Sequence, residues 1–375
     1  MKILSVVGAR PNFMKIAPFC RELSKHPEFN HVLVHTGQHY DTRMSDSFFL
    51  DLDIPAPDIH LNIGSGTHAE QVGKTMIEFE KVVREEKPDW IVVVGDVNAT
   101  CACSIVAKKE HIKLAHIEAG LRSGDIDMPE EVNRLVTDRL SDILFTPDRF
   151  SNANLKAEGV DSSRIAFVGN IMIDTLETQR DKAIVRNVPD MVRRELLVPR
   201  DIPDLAENNW AVLTMHRPSN VDQIETLKPL VDFLTDEVTE DMPLLWPIHP
   251  RTQKQLQIFG LWEKVRKKAI LLNPLGYHDM VRLNIGARIM FTDSGGLQEE
   301  CCVLGTPCLT LRWNTERPIT LREHGGASVL VGNDVNRIRA AYKDVLQLER
   351  TPQRPELWDG HTAERIVETF LSRVH

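Results

Sequence analysis

The chain has 375 residues, 42% of them hydrophobic and 26% charged, with a formal net charge of −9. That length is long for one core, so two domains are expected, and the acidic balance argues against nucleic acid as the main partner. No run of about 18 apolar residues and no signal-peptide core occurs, so a cytoplasmic protein without a membrane partner is expected.

Short β-branched runs alternate with helical patterns throughout. In the first half, strands are expected at Lys2–Val7, His31–His35, Trp90–Val94, Leu114–Ile117, Ile143–Phe145 and Ile165–Val168. Helices are expected between them at Met14–His26, His68–Glu86, Thr100–Glu110 and Glu130–Leu140. The second half repeats the plan with strands at Trp210–Thr214, Leu244–Pro247, Ile270–Leu272, Arg288–Phe291, Cys308–Leu311 and Ser328–Leu330. Such alternation means parallel sheets with right-handed crossovers. An all-apolar strand such as Ile91–Val94 suits a sheet covered on both faces. The expected fold class is α/β, with two Rossmann-like doubly wound domains facing across a cleft.

The boundary is placed after Asn170, giving residues 1–170 and 171–355 as the two domains. Arg186–Asn209, charged and proline-punctuated, is expected to be irregular. The tail carries an apolar helical period at Ile366, Val367, Phe370 and Leu371 and reads as a last helix. The six cysteines lack zinc spacing and are expected to be free, buried thiols.

Thr292-Asp293-Ser294-Gly295-Gly296-Leu297-Gln298-Glu299-Glu300 is the most informative stretch. A helix opening after Ser294-Gly295-Gly296 presents free N–H groups and its positive dipole end, a site for phosphate. The competing reading is an ordinary helix start. Glu300, one turn in, suits sugar hydroxyls. Polar residues recur at other strand ends, where parallel α/β sheets gather their chemistry. Arg10 and Lys15 fit either a phosphate or a solvated face. Asp96 fits acid–base work or an N-cap for the helix near Thr100. Glu118 caps nothing obvious. Glu130 also fits a capping box over Asp127-Met128-Pro129-Glu130. His216 is a functional or a core histidine. Arg317 reaches a phosphate or pairs with Glu316. Three carboxylates, a histidine and basic groups around a diphosphate site imply acid–base chemistry on a sugar nucleotide.

At these residues the chain resembles the non-hydrolysing UDP-N-acetylglucosamine 2-epimerases. The matching segments are VVGARPNFMK, TGQHYD, VVGDVNAT, HIEAGLRSGD, MPEEVNR, MHRPSN, PIHPRT, TDSGGLQEE and NTERP, in family order. The resemblance implies the two-domain GT-B fold, with the last helix, residues 356–375, returning to the first domain, and a homodimer. It implies inversion at C2 of UDP-GlcNAc to give UDP-ManNAc, through elimination and re-addition of UDP, a step supplying surface polysaccharide precursors. No metal or redox cofactor is implied. It gives Asp96, Glu118, Glu130 and His216 to catalysis. Arg10, Lys15, Ser294, Gly295, Gly296, Glu300 and Arg317 go to the UDP-sugar.

Three departures bear on substrate and regulation. The loop between Glu118 and Glu130 is shorter than in the best-known bacterial members. The usual HRxEN pattern reads His216-Arg217-Pro218-Ser219-Asn220. In allosteric members a second UDP-GlcNAc is bound partly through a glutamine at the position of Asp41, while Gln38 is kept. Activation by substrate is therefore expected to be weak or absent. Sigmoidal rate curves that a Gln38 substitution abolishes would contradict this. The MPEE form also resembles the branch acting on UDP-2,3-diacetamido-2,3-dideoxyglucuronate. A hydrolysing epimerase releasing ManNAc, a GT-B glycosyltransferase and a silent UDP-sugar binder compete with these two activities.

Overall fold

The structure is a computed structural model that describes residues 1–37, 52 and 54–373, with Arg10 and Pro11 described in their backbone only. Gln38 and Asp41 lie outside the described residues. The chain divides into two units, Met1–Thr178 with Pro355–His375, and Gln179–Arg354. The chain leaves the first unit within the helix Ile171–Ile184, whose start follows the expected break after Asn170.

The first unit is built on seven parallel strands: β1 (Lys2–Val7), β2 (Asn30–His35), β3 (Ile59–His60), β4 (Trp90–Val94), β5 (Lys113–Ile117), β6 (Ile143–Thr146) and β7 (Ile165–Phe167). Their order is β3-β2-β1-β4-β5-β6-β7. β3 has two residues, too few to show any alternation in sequence. On one face Leu4, Val6, Ile91, Val93 and Leu114 pack on Phe79, Val82 and Val83 of the helix His68–Glu86 and on Cys103 and Val106 of the helix Asn98–Lys109. On the other, Phe370 of the last helix, Thr362–Leu371, lies 5.4 Å from Trp90 and 5.6 Å from Phe145 between ring centroids. The period-2 alternation of side chains divides Trp90 from Ile91 in this way. Asp174 accepts from the N–H groups of Thr362 at 3.1 Å and Ala363 at 2.7 Å, satisfying the orphan donors at that helix start.

The second unit has six parallel strands: β8 (Ala211–Thr214), β9 (Leu244–Pro247), β10 (Ile270–Leu272), β11 (Ile289–Thr292), β12 (Cys308–Thr310) and β13 (Ser328–Leu330). Their order is β10-β9-β8-β11-β12-β13. Ala211, Leu213, Ile289 and Phe291 enter one core, and Val212, Leu245, Ile270 and Met290 enter the other, so both faces are covered. The expectation of an irregular Arg186–Asn209 needs correction. A helix, Val188–Glu195, forms there. Asn187 caps it by accepting from the Asp190 N–H, and Val188, Met191 and Val192 supply a buried stripe at helical spacing. Charge density hides that short stripe in the sequence.

In each sheet the chain runs outward from the first strand, then returns to its other side. The loops after β1 and β4, and after β8 and β11, therefore diverge at the carboxyl ends of adjacent strands. Such switch points are where open α/β sheets bind ligands.

Candidate active site

In the first unit, Asn12 fastens the two diverging loops. Its Oδ1 accepts from the N–H groups of Gly8 and Ala9, both at 3.1 Å, and its Nδ2 donates to the Val94 carbonyl at 2.8 Å. Lys15, one turn into the helix Arg10–Leu23, is buried and pairs with Glu118. Of the two sequence readings of Lys15, a phosphate contact or a solvated face, its burial removes the second, and its ammonium meets a carboxylate. Glu118 has φ of 73°, a left-handed conformation that costs a non-glycine residue about 1–2 kcal/mol. Its N–H and that of Ala119 share the Phe145 carbonyl, at 3.1 and 3.0 Å, which holds the turn. Gly95 admits the pair: a Cβ there would lie 3.1 Å from Lys15 Nζ.

Asp96 caps no helix, because the next one starts at Asn98 behind Val97. Its Oδ2 instead accepts from Arg134, which also donates through Nε to Glu131 Oε2 at 2.9 Å. Glu131 accepts further from the N–H groups of Ser123 at 3.1 Å and Gly124 at 3.0 Å. Burial pushes its carboxyl up, but these N–H groups and Arg134 outweigh that and hold it below the usual range. Glu130 is exposed. The capping box expected around it does not form: Met128 is the N-cap and Pro129 the first helical residue. Glu130 thus falls at the second position, where a capping box needs the third. The sequence expectation named Glu130 alone; the structure buries its neighbour Glu131 and joins it to Arg134. The spacing of Glu131 and Arg134 on one helix face was the available signal.

In the second unit, Asp293 organises the end of β8. Its Oδ2 accepts from the N–H groups of His216 and Arg217, both at 2.8 Å, and from Asn220 Nδ2 at 3.1 Å. His216 Nδ1 lies 2.9 Å from Asp293 Oδ1. Burial works to raise the Asp293 carboxyl, but the His216 and Arg217 contacts prevail and hold it below its ordinary value. An imidazole gripped through Nδ1 by a carboxylate keeps Nε2 for a ligand, and the His216 side chain is 43% exposed. Asp293 lay inside the chosen motif, yet its role depends on meeting β8.

Ser294 is the N-cap of the helix Gly295–Leu304 and makes no side-chain cap bond. What approaches the first glycine is Arg317: a Cβ on Gly295 would lie 2.6 Å from its Nη1. Arg317 is buried, donates through Nε to Glu299 at 2.7 Å and pairs with Glu316, which Arg312 holds at 2.7 Å. A guanidinium set against a helix N-terminus is an arrangement suited to a phosphate.

Glu300 is buried, and its Oε2 has no hydrogen-bond partner. Burial pushes its carboxyl up to about 8; a hydrogen bond from Tyr277 opposes this, and the Glu299 charge adds to it. Such an oxygen suits a hydroxyl donor. The shift has a consequence for stability. Between pH 4.5 and about 8 the folded chain keeps a proton that the unfolded chain has lost, so stability falls as pH rises through that window. Glu300→Gln removes the penalty. The ligand-free variant is expected to melt about 5 °C above wild type at pH 9, with the gain shrinking toward pH 5. A difference in Tm that does not change with pH would contradict the assignment.

The UDP-N-acetylglucosamine 2-epimerase family model matches residues 21–371. The chain belongs to the UDP-N-acetylglucosamine 2-epimerase family. Among members of the family, a UDP-N-acetylglucosamine 2-epimerase of Methanocaldococcus jannaschii is 41% identical over 371 residues, covering 98% of each chain. A UDP-2,3-diacetamido-2,3-dideoxy-D-glucuronate 2-epimerase of Pseudomonas aeruginosa is 38% identical and is covered in full, as is this chain. The crystal structure of the M. jannaschii UDP-GlcNAc 2-epimerase in complex with UDP-GlcNAc and UDP superposes with a TM-score of 0.89 at 39% identity, covering 99% of this chain and 100% of that one. TcCGT1 in complex with UDP shares the fold alone, at 11% identity and a TM-score of 0.62. The architecture is the two-domain α/β GT-B fold.

Proposed function

We propose that this protein interconverts UDP-GlcNAc and UDP-ManNAc without hydrolysis. A base takes the C2 proton and the C1–O bond breaks. Its electron pair leaves with UDP, and a 2-acetamidoglucal remains. UDP oxygen then re-forms the bond to C1 while a proton returns to C2 on the opposite face. Glu118, beside Lys15, and Asp96, beside Arg134, are the proton-transfer groups, with Glu130 as a third acid–base candidate. Ser294, Gly295, Gly296, Arg10 and Arg317 hold the diphosphate, Glu300 the ribose, and His216 assists UDP departure. What carries the reading is a pair of cation-bound carboxylates at the carboxyl ends of the adjacent strands β4 and β5, in a chain that matches named UDP-GlcNAc 2-epimerases along nearly its whole length.

The test is incubation with UDP-GlcNAc in deuterated water, followed by proton NMR. UDP-ManNAc with deuterium at C2 is expected. Free ManNAc would replace this reading by hydrolysis. An unchanged UDP-GlcNAc alongside a converted diacetamido-uronate would move the substrate to the branch at 38% identity. The proposal includes a homodimer, supported by the exposed Val132 and Leu135 on the helix Pro129–Leu140 and by Ile126 before it. It also includes a cytoplasmic location, supported by six free, buried cysteines. A monomer mass in sedimentation would remove the dimer.

A further inference from the structure

A buried histidine with no part in the proton transfer just described links the backbone before Asp96, through Asp138, to the backbone just beyond Glu118. His116, on β5, is fully buried. Its Nε2 lies 2.8 Å from the Gly95 carbonyl oxygen, and its Nδ1 lies 2.6 Å from Asp138 Oδ1. A carbonyl oxygen has no proton to give, so Nε2 carries one. Asp138 is equally committed as an acceptor: its Oδ2 takes the Gly120 N–H at 3.0 Å and an Arg122 N–H at 2.7 Å. These two donors, one of them a guanidinium, favour the ionised carboxylate whatever the state of the ring. An ionised carboxylate accepts from Nδ1, and both ring nitrogens are then donors.

We propose that His116 is a buried imidazolium, protonated on both ring nitrogens, that serves as a positioning residue by fixing the two turns that present Asp96 and Glu118. The proposal rests on assigning those two carboxylates to proton transfer.

The Gly95 carbonyl belongs to the peptide that leads into Asp96, so the bond from Nε2 sets the plane from which the Asp96 side chain departs. Through Asp138 the same ring is tied to the Gly120 N–H, just beyond Glu118. Gly95 and Glu118 both hold left-handed backbone, at φ of 68° and 73°. Such conformations persist where the surroundings over-determine them. A neutral ring gives one of the two bonds and leaves the other acceptor without its donor. Arg122, the other cation on Asp138, extends from there to Glu158 and does not reach the Gly95 carbonyl by any hydrogen bond. His116 therefore links the end of β4 to the turn after β5 with a single rigid ring.

Neutron diffraction from deuterated wild-type crystals at pH 8 reads the protonation directly. Deuterons on both Nδ1 and Nε2 are expected; a single deuteron would overturn the proposal. His116→Gln keeps one amide donor and loses the charge. Its kcat is expected to fall about 100-fold, the scale of a misplaced catalytic group, while the Kd for UDP stays within about twofold. A kcat within threefold of wild type would overturn the positioning role. Asp138→Asn gives a second kinetic test should the glutamine variant not fold, with the same split expected. Asp96→Asn and Glu118→Gln run alongside. If these two lose turnover and His116→Gln does not, only the positioning role is lost. If all retain turnover, the proton-transfer assignment itself fails.

Discussion

Glu118→Gln is expected to bind UDP within about threefold of wild type and to lose roughly 10³ in turnover, within the range for removal of a general acid or base. The substitution is nearly isosteric and keeps the left-handed turn, which is held by the Phe145 carbonyl and not by the side chain. What it removes is the charge that faces Lys15. Breaking a buried pair leaves the partner charge uncompensated, at about 3–5 kcal/mol. A lower Tm should therefore accompany the lost turnover. Incorporation of deuterium at C2 should fall by the same factor as epimerisation if Glu118 has the proposed proton-transfer role. Turnover within tenfold of wild type would take Glu118 out of the chemistry.

Arg317→Ala should give the opposite pattern, with binding lost first. The guanidinium lies against Gly295 at the start of the helix proposed to hold the diphosphate, and it is held there by Glu299 and Glu316. A charge-assisted hydrogen bond contributes about 1.5–3 kcal/mol, so the Kd for UDP is expected to rise about 10–100-fold by calorimetry. The variant also strips two buried carboxylates of a shared cation, and its Tm should fall. Arg317→Lys restores the charge but not the planar fork. It should recover part of the stability and little of the affinity. Wild-type UDP affinity in the alanine variant would remove Arg317 from the phosphate site.

How much of this was legible in sequence follows from range. β4 reads as Trp90-Ile91-Val92-Val93-Val94 because every residue of it is buried, and a chain of such strands alternating with helices admits few folds. β3 did not read because two residues carry no period, and the helix Val188–Glu195 did not because its apolar stripe is three residues long. The strand-end rule singled out Asp96, Glu118, His216 and Ser294. It did not find what each one touches. Lys15 and Glu118 are 103 positions apart, and His216 and Asp293 meet only because β8 and β11 are neighbours. Which of Glu130 and Glu131 is buried turned on a single position in the helix start, which Met128 and Pro129 set.

The Ser294-Gly295-Gly296 turn shows the division most clearly. The sequence alone determined that a helix begins there after a buried strand, because glycines, apolar runs and helical periods are local. It also determined the family, because motif order is written along the chain. Only the tertiary structure decided that Arg317 fills the space at Gly295, that Glu300 is buried with an unmet acceptor, and that Lys15 faces a carboxylate. Those are properties of strand order. The reversal after β3 and again after β10 brings distant loops together in a low-dielectric setting, where the identity of the nearest charge governs what each group does.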